Sequence, residues 1–297
     1  MHFTYAAIEA GGTKFNVALL NDRGDVLCSR RVATTEPKET LSQCLSFIRE
    51  SAETLGLKVC AMGIAGFGPI CVDRASPHFG EIMNTPKPFW SGVNLYQYFH
   101  DELKIPVAVD SDVNAAALAE YTQRAEQGNL VYITVGTGVG VGVCLAGRTL
   151  QGRVHPELGH LRCAVLDNEA AGVCATHGNC IEGLASGPAL KARWNVALED
   201  APSDHPLWGS TGHYLAEICM AATLAYSPFQ IVIGGGVMAS GHVLTPLRRH
   251  YKRLMADYLP DIAYPRGMDE MISLPSLDDA PGLIGAWLAA KELYCEN

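Results

Sequence analysis

Two similar stretches of sequence, residues 8–13 (IEAGGT) and residues 133–138 (ITVGTG), lie 125 residues apart. In each, an apolar run meets a glycine-rich turn and a second apolar run follows, which predicts a strand–turn–strand unit. This order excludes the strand–turn–helix of a Walker or Rossmann loop. A strand–turn–strand unit in each half of the chain predicts two similar lobes. The alternative is a pair of unrelated glycine hairpins, because the two stretches share few identical residues.

The other apolar patterns extend this division to the whole chain, and 297 residues are enough for two hydrophobic cores. Strands are predicted at residues 5–9, 14–20, 26–32, 58–64, 107–109, 130–135, 139–145 and 230–233. Helices are predicted at residues 40–55, 95–104, 112–123, 214–226 and 283–294, and a further helix opens at residues 186–188. We expect an N-terminal lobe in residues 1–118, completed by a C-terminal helix at 281–297, and a C-terminal lobe in residues 119–280.

Composition argues against several classes of protein. The chain has 22 basic and 31 acidic residues, and a net charge of −9 makes it a poor nucleic-acid binder. No apolar run reaches the ~18–20 residues of a membrane span, and residues 1–5 (MHFTY) lack the basic and apolar regions of a secretion signal. We therefore expect a cytoplasmic protein whose ten cysteines are mostly reduced and buried.

Three glycine-rich turns follow apolar strands, at residues 11–14 (GGTK), 136–138 (GTG) and 234–236 (GGG). Glycine lets the backbone approach a ligand closely and turn its N–H groups toward phosphate oxygens. The hydroxyls of Thr13 and Thr137 add hydrogen-bond donors. Each turn alone is an ordinary connection between strands. Three of them, spread over both halves, predict a nucleotide held between the lobes.

Two carboxylates, Asp110 and Asp112, lie where a predicted strand meets a predicted helix. Asp112 falls near the helix N-terminus, where a carboxylate is favoured and caps the helix. Capping alone explains an aspartate at this position. The alternative is a base at the end of a central strand, which accepts the proton of an attacking hydroxyl in phosphoryl transfer.

The spacing Cys174, His177 and Cys180 on a glycine-containing turn lets three side chains converge on a metal. His160 completes the four nitrogen and sulfur ligands that tetrahedral zinc prefers, and His155 is a second candidate for the fourth ligand. Four protein ligands leave no open position, which indicates a structural zinc. The alternative is two thiols and two surface histidines that bind no metal.

These motifs, in this order, resemble the ROK sugar kinases, and in particular their bacterial fructokinase branch. The resemblance spans almost the whole chain. It rests on residues 8–14, 80–88, 110–114, 136–140, 155–160, 174–183 and 234–238.

The resemblance implies an α/β, actin-like ATPase fold with two similar lobes around a cleft that holds Mg²⁺, ATP and the sugar. It makes Asp112 the catalytic base. It implies that the sugar contacts Asn84, Ser111, Glu157, His160 and Glu182. It implies that the nucleotide contacts Glu9, Gly11, Gly12, Thr13, Lys14, Thr137, Gly138, Pro188, Gly234, Gly235 and Gly236.

The resemblance also makes His160 a zinc ligand together with Cys174, His177 and Cys180. A fully coordinated zinc would then brace the loop that carries the sugar-binding glutamates. ROK proteins are often dimers, so the resemblance implies a homodimer.

The sequence departs from the broader family at three positions. Glu9 stands where most members have Asp, Ser111 where they usually have Asn, and His177 where they have Cys. Glu9 and His177 agree with the fructokinase branch, and Ser111 resembles a threonine of that branch. We therefore expect ATP-dependent phosphorylation of fructose at its 6-hydroxyl.

Two alternatives remain at this stage. A kinase for mannose, glucose or an amino sugar would differ in the residues around Asn84, Trp90, Ser111 and Glu157. A sugar-responsive transcriptional regulator would share the same core behind a winged helix-turn-helix. The first strand begins near Tyr5, which leaves no room for that element, and the acidic composition also argues against a regulator.

Overall fold

The computed structural model describes residues 3–124, 128–259, 267–277 and 280–296. The strands are β1 (Thr4–Ala10), β2 (Lys14–Asn21), β3 (Val26–Ala33), β4 (Val59–Gly66), β5 (Val107–Ser111), β6 (Leu130–Val135), β7 (Val139–Leu145), β8 (Arg148–Thr149), β9 (Gln230–Gly234) and β10 (Ile272–Ser273). The α-helices are α1 (Pro37–Thr54), α2 (Leu95–Leu103), α3 (Asp112–Thr122), α4 (Ile181–Ala185), α5 (Gly187–Trp194), α6 (Pro206–Tyr226), α7 (Leu244–Met255), α8 (Met268–Met271) and α9 (Pro281–Glu296).

The chain divides into two compact units, and both are discontinuous in sequence. The first consists of Met1–Ala125, Arg148–Pro156 and Leu277–Asn297. The second consists of Glu126–Gly147 and Glu157–Ser276. The predicted division into lobes at residues 1–118 with 281–297 and at residues 119–280 stays a prediction.

The first unit is built on a mixed sheet in the order β3-β2-β1-β4-β5. β1 and β2 are antiparallel, as are β2 and β3, whereas β4 runs parallel to β1 and β5 runs parallel to β4. Alternate residues of β1 belong to two separate cores, because successive side chains of a strand point to opposite faces. Ala6 and Ile8 pack in the core that includes residues of α1 and α2, while Tyr5 and Ala7 pack with α9.

Helix α9 lies very close to β4 and α3. A Cβ atom added to Gly63 on β4 would lie 1.8 Å from the carbonyl oxygen of Ala286, and one added to Gly285 would lie 1.9 Å from that of Ala115. These positions accept only glycine without a backbone shift. Residues 281–296 are therefore part of the core of the first unit.

Within the described residues, the strands of the second unit lie in the order β10-β9-β6-β7. β6 and β7 form an antiparallel hairpin, and β9 runs parallel to β6. Helices α6 and α7 pack against each other at Gly212, where a Cβ atom would lie 2.7 Å from the backbone nitrogen of Leu247. None of the helices in the described ranges is both long enough and apolar enough to cross a membrane.

Helices α6 and α7 differ most from the sequence-based prediction, which contained no helix at Leu244–Met255. Helix α6 begins at Pro206, whereas the prediction started it at residue 214. Residues 206–213 contain two glycines, which weaken a helical pattern. The helix nevertheless starts there because Pro206 occupies its first turn and the His205 side chain accepts a hydrogen bond from the Leu207 N–H.

Candidate active site

The junction of β5 and α3 carries the predicted base. Ser111, not Asp112, caps the helix, because its side chain accepts a hydrogen bond from the Asn114 N–H at 3.2 Å. Asp112 is the first residue of the helix, and its Oδ1 accepts from the Val113 N–H at 2.9 Å. The capping role considered for Asp112 was therefore wrong. Its half-buried side chain lies at the N-terminus of the helix, where a negative charge is stabilised.

Asp110, for which no separate role was predicted, is buried in the same junction with 6% of its surface exposed. Its Oδ1 accepts hydrogen bonds from the Ser111 N–H at 2.7 Å and from Asn114 Nδ2 at 2.9 Å. Its Oδ2 accepts from Thr149 Oγ1 at 2.6 Å and from Gln151 Nε2 at 2.8 Å. Burial raises the pKa of the Asp110 carboxyl, and these four hydrogen bonds oppose the shift.

The turn between β1 and β2 leaves its predicted ligand groups accessible. The Gly11 N–H donates to the Lys14 carbonyl at 3.0 Å, and the Thr34 hydroxyl donates to the Gly11 carbonyl at 2.7 Å. Gly12, Thr13 and Lys14 are exposed. Glycine at position 12 has no heavy atom near its added Cβ, so the turn keeps open space on that side.

Glu9 is placed differently from the glycines of this turn. Its Oε2 accepts a hydrogen bond from Asn16 Nδ2 at 2.7 Å. Its Oε1 would lie 2.5 Å from a Cβ added to Gly282, so the carboxylate faces the start of α9. Glu9 therefore contacts the N-terminal end of a helix, where a negative charge is stabilised.

The loop that carries Asn84 is anchored by Trp90. The Trp90 ring is buried against Phe15 and Phe67, and its indole N–H donates to the Thr35 carbonyl at 2.9 Å. Asn84 itself is exposed. The buried indole therefore fixes the end of a loop whose polar side chain remains accessible to a ligand.

In the second unit, His160, Cys174, His177 and Cys180 come together. One ligand atom from each lies within 4.8 Å of all the others. His160 Nδ1 is 3.9 Å from Cys174 Sγ and 3.6 Å from Cys180 Sγ. These spacings fit ligands that surround one zinc ion at ~2.0–2.3 Å in a tetrahedron. His155, the other candidate for the fourth ligand, is not part of this group.

Close backbone packing builds this group. The Gly178 N–H donates to the Cys174 carbonyl at 2.9 Å, and Gly178 has φ 57°, a left-handed conformation that favours glycine. A Cβ on Gly183 would lie 2.1 Å from the Gly178 carbonyl oxygen. Burial raises the pKa of the Cys180 thiol to about 11, and the neighbouring Cys174 adds to the shift. A bound zinc would supply the positive charge that two adjacent thiolates need.

Glu182 links this group to the turn at residues 136–138. Its Oε2 accepts a hydrogen bond from the Val139 N–H at 3.1 Å and would lie 2.6 Å from a Cβ on Gly138. The Gly187 N–H donates to the Gly136 carbonyl at 2.8 Å. Helices α4 and α5 therefore hold the turn from two sides.

The third glycine turn lies next to the second. Gly235 has φ 94°, and a Cβ on it would lie 2.5 Å from the Val135 carbonyl oxygen. The Val237 N–H donates to the same carbonyl at 3.0 Å. The second unit thus brings two glycine turns to one end of β6. Thr137, Gly236 and, at the start of α5, Pro188 are exposed, and so is Glu157.

Comparison of the sequence with known proteins identifies the family of this chain. A model of the ROK family matches residues 5–292. The chain belongs to the ROK family. A fructokinase from Zymomonas mobilis is 39% identical to it over 99% of this chain and 97% of the relative.

Solved ROK structures share the fold. A ROK hexokinase from Thermus thermophilus covers 100% of both chains with a TM-score of 0.78 and 25% identity. A ROK glucokinase from Streptomyces griseus, solved in complex with glucose and AMPPNP, covers 97% of this chain and 99% of its own, with a TM-score of 0.72 and 23% identity. Together with the two mixed sheets, these matches confirm the predicted α/β, actin-like fold class.

In this ROK protein the residues predicted to act on ligands fall into two sets, one in each unit. The first unit holds Glu9, the turn at residues 11–14, Asn84, Ser111 and Asp112. The second holds Glu157, Glu182, the four predicted zinc ligands, Pro188 and the turns at residues 136–138 and 234–236. Their roles toward sugar and nucleotide stay predictions.

Proposed function

We propose that this protein is an ATP-dependent hexose kinase that transfers the γ-phosphoryl group of MgATP to the 6-hydroxyl of fructose. The observation that carries the proposal is the β5–α3 junction, where Ser111 caps the helix and the Asp112 carboxylate stands beside it. The fructokinase relative, 39% identical over nearly the full length, supports fructose as the substrate.

In the proposed reaction Asp112 orients the sugar hydroxyl. The sugar oxygen bonds to the γ-phosphorus, the bond from that phosphorus to the bridging oxygen of ADP breaks, and the hydroxyl proton passes to the Asp112 carboxylate. Phosphoryl transfer has a loose transition state, so positioning and charge stabilisation supply most of the rate enhancement. Asn84, Ser111, Glu157, His160 and Glu182 are proposed to bind the sugar.

The glycine turns are proposed to bind the nucleotide. Phosphate oxygens are proposed to accept from the Thr13 and Thr137 hydroxyls and from the backbone N–H groups of the exposed turn residues Gly12, Thr13, Thr137, Gly235 and Gly236. Lys14 adds a positive charge at the first turn. Mg²⁺ bound to the ATP would neutralise the charge that develops on the phosphates.

We propose a structural zinc held by His160, Cys174, His177 and Cys180. Zinc with four protein ligands would fix the segment between Glu157 and Glu182 and would take no part in bond breaking. Metal analysis of the purified protein is expected to find about one zinc per chain. Active protein free of metal would contradict this site. The family resemblance further predicts a cytoplasmic protein. It also predicts a homodimer, which light scattering on the purified protein checks.

Substitution of Asp112 by Asn tests the function. The change removes the proton acceptor, and we expect turnover to fall about 10²–10⁴-fold while ATP binding and the melting temperature stay close to the wild-type values. Asp101→Asn, the same change at an exposed position of α2, is the matched control and is expected to keep full activity. Near-normal turnover of the Asp112→Asn protein would contradict the mechanism.

A panel of hexoses separates the substrate from the reaction type. Coupled ADP-release assays with fructose, mannose, glucose and glucosamine are expected to give the highest kcat/KM with fructose. A better rate with another hexose would keep the kinase and overturn the choice of sugar, whereas no turnover of any hexose would overturn the kinase itself.

A further inference from the structure

The buried carboxylate of Asp110 joins two pieces of chain that are far apart in sequence. Its Oδ1 side binds the start of α3 through the Ser111 N–H and Asn114 Nδ2. Its Oδ2 side binds Thr149 and Gln151, which are 39 and 41 residues away. Asn114 adds a second link, because its Nδ2 also donates to the Leu150 carbonyl at 3.1 Å. All these residues belong to the first unit.

The donors around Asp110 match a carboxylate. Backbone and carboxamide N–H groups donate and cannot accept, and the Thr149 hydroxyl donates at 2.6 Å. A buried carboxylate that accepts four hydrogen bonds is held in one orientation, since losing the bonds from Ser111 and Asn114 would leave buried donors unpaired. Such a set is more than α3 needs for capping, because Ser111 already caps it.

We infer that Asp110 is the positioning residue of the proposed kinase reaction: it holds the start of α3, and with it Asp112, in fixed register with residues 149–151. The inference rests on the proposed function. Asp110 is buried and lies one residue before Ser111, so it acts through the residues that contact substrate. The segment that it holds runs on in sequence to Glu157, a proposed sugar ligand.

The two oxygens of Asp110 allow two variants with different effects. In Asp110→Asn, an amide nitrogen in place of Oδ1 would face two obligate donors. In place of Oδ2 it faces Gln151 and the Thr149 hydroxyl, which is able to rotate and accept. The amide nitrogen therefore takes the Oδ2 position, so this variant keeps the bonds to α3 and loses the charge-assisted bond from Gln151 Nε2. Asp110→Ala removes all four bonds.

The experiment compares Gln151→Ala, Asp110→Asn and Asp110→Ala in steady-state kinetics on the best hexose of the panel. We expect kcat to fall in that order, to about 100-fold for Asp110→Ala, because a displacement of ~1 Å at the reacting groups costs this much. The KM for ATP is expected to stay within about twofold, because the proposed nucleotide turns do not contact Asp110.

Glu120→Gln is the matched control. Glu120 is a buried carboxylate on the same helix, and it accepts hydrogen bonds from Arg124 Nη2 at 2.8 Å and from the Leu277 N–H at 3.0 Å. Replacement of a carboxylate that has only a structural role is expected to lower the melting temperature and to leave kcat unchanged at temperatures below the melting transition. If the Asp110 variants behave like Glu120→Gln, the inference is overturned.

The outcomes separate the inference from the function on which it rests. If the wild-type protein phosphorylates a hexose and Asp110→Asn keeps its kcat, only the role of Asp110 fails. If the wild-type protein phosphorylates no hexose, the proposed function fails and takes this inference with it. Should Asp110→Ala not fold, a fall of kcat in Gln151→Ala and Asp110→Asn, at a melting temperature close to that of Glu120→Gln, still supports the inference.

Discussion

At the scale of single residues, the junction of β5 and α3 divides its tasks among neighbours. Ser111 satisfies the helix end, Asp110 binds the distant segment at residues 149–151, and Asp112 is left at the first position of the helix. The spacing of the aspartates suggested two alternatives for Asp112, base or cap. The observed cap at Ser111 removes the second one.

Phe89, five residues after the proposed sugar ligand Asn84, has a left-handed backbone conformation. It has φ 70° and its side chain is 74% exposed, so the left-handed backbone is not compensated by burial. Glycine adopts this conformation at no steric cost. We expect Phe89→Gly to raise the free energy of unfolding by about 1 kcal/mol, measured by urea denaturation.

Phe229→Gly is the control for Phe89→Gly. Phe229 is also exposed, at 62%, but it has no left-handed backbone and its ring packs beside Gly128. Its replacement is expected to lower the free energy of unfolding. Equal destabilisation by both substitutions would show that the backbone of Phe89 is not strained.

At the scale of elements, glycines decide how closely helices approach their neighbours. In α6, Gly209 has no heavy atom within 4 Å of an added Cβ, whereas Gly212 meets Leu247 on α7. The same two glycines weaken the helical sequence pattern over the first turns of this helix, which the prediction did not include. Their effect on propensity is weaker than the gain from burying Leu207 and Trp208.

Alanine at these two positions gives opposite results. Gly209→Ala is expected to raise the free energy of unfolding by about 0.4–1 kcal/mol, since it restricts the unfolded chain and meets no obstacle. Gly212→Ala is expected to lower it by about 1–3 kcal/mol, because α7 must move. Thermal unfolding followed by circular dichroism measures both, and a Gly212→Ala protein as stable as Gly209→Ala would contradict the close contact of α6 and α7.

At the scale of the whole molecule, local signals predicted more than distant ones. The hairpin strands β6 and β7 were predicted with their observed bounds, because alternating apolar residues around a glycine turn are visible in a short window. The hydrogen bonds of Asp110 to Thr149 and Gln151 were not predicted, because no local sequence pattern identifies partners about 40 residues apart. At the predicted zinc site, spacing indicated Cys174, His177 and Cys180 but left His155 and His160 as alternatives for the fourth ligand, and the structure brings His160 to the group.

The ten cysteines, all free, divide by environment more than the sequence suggested. Apart from the two in the predicted zinc site, Cys44, Cys71, Cys144 and Cys219 are buried, while Cys28, Cys60 and Cys163 are half-buried and Cys295 is exposed. The expectation of a mostly buried population therefore holds for half of these eight. Burial raises the pKa of Cys44 to about 12, which keeps that thiol protonated and unreactive.

Alkylation of the native protein, read by mass spectrometry, tests this division. We expect Cys295 to react first and Cys44 and Cys219 to react only after unfolding. Cys174 and Cys180 are expected to stay protected until a chelator removes the zinc, with Cys295 as the internal reference that the chelator does not affect. Labelling of Cys174 as fast as Cys295 before chelation would contradict a bound metal.

The position of α9 in the first unit has a consequence for how the protein is made. Leu283, Ala286 and Trp287 complete a core whose other members include Tyr5 and Ala7, near the start of the chain. A ribosome releases the chain from its N-terminus, so one face of the first sheet stays uncovered until residues 281–296 have been synthesised. During that interval the nascent chain exposes apolar surface of the sheet, which is covered once α9 has been translated.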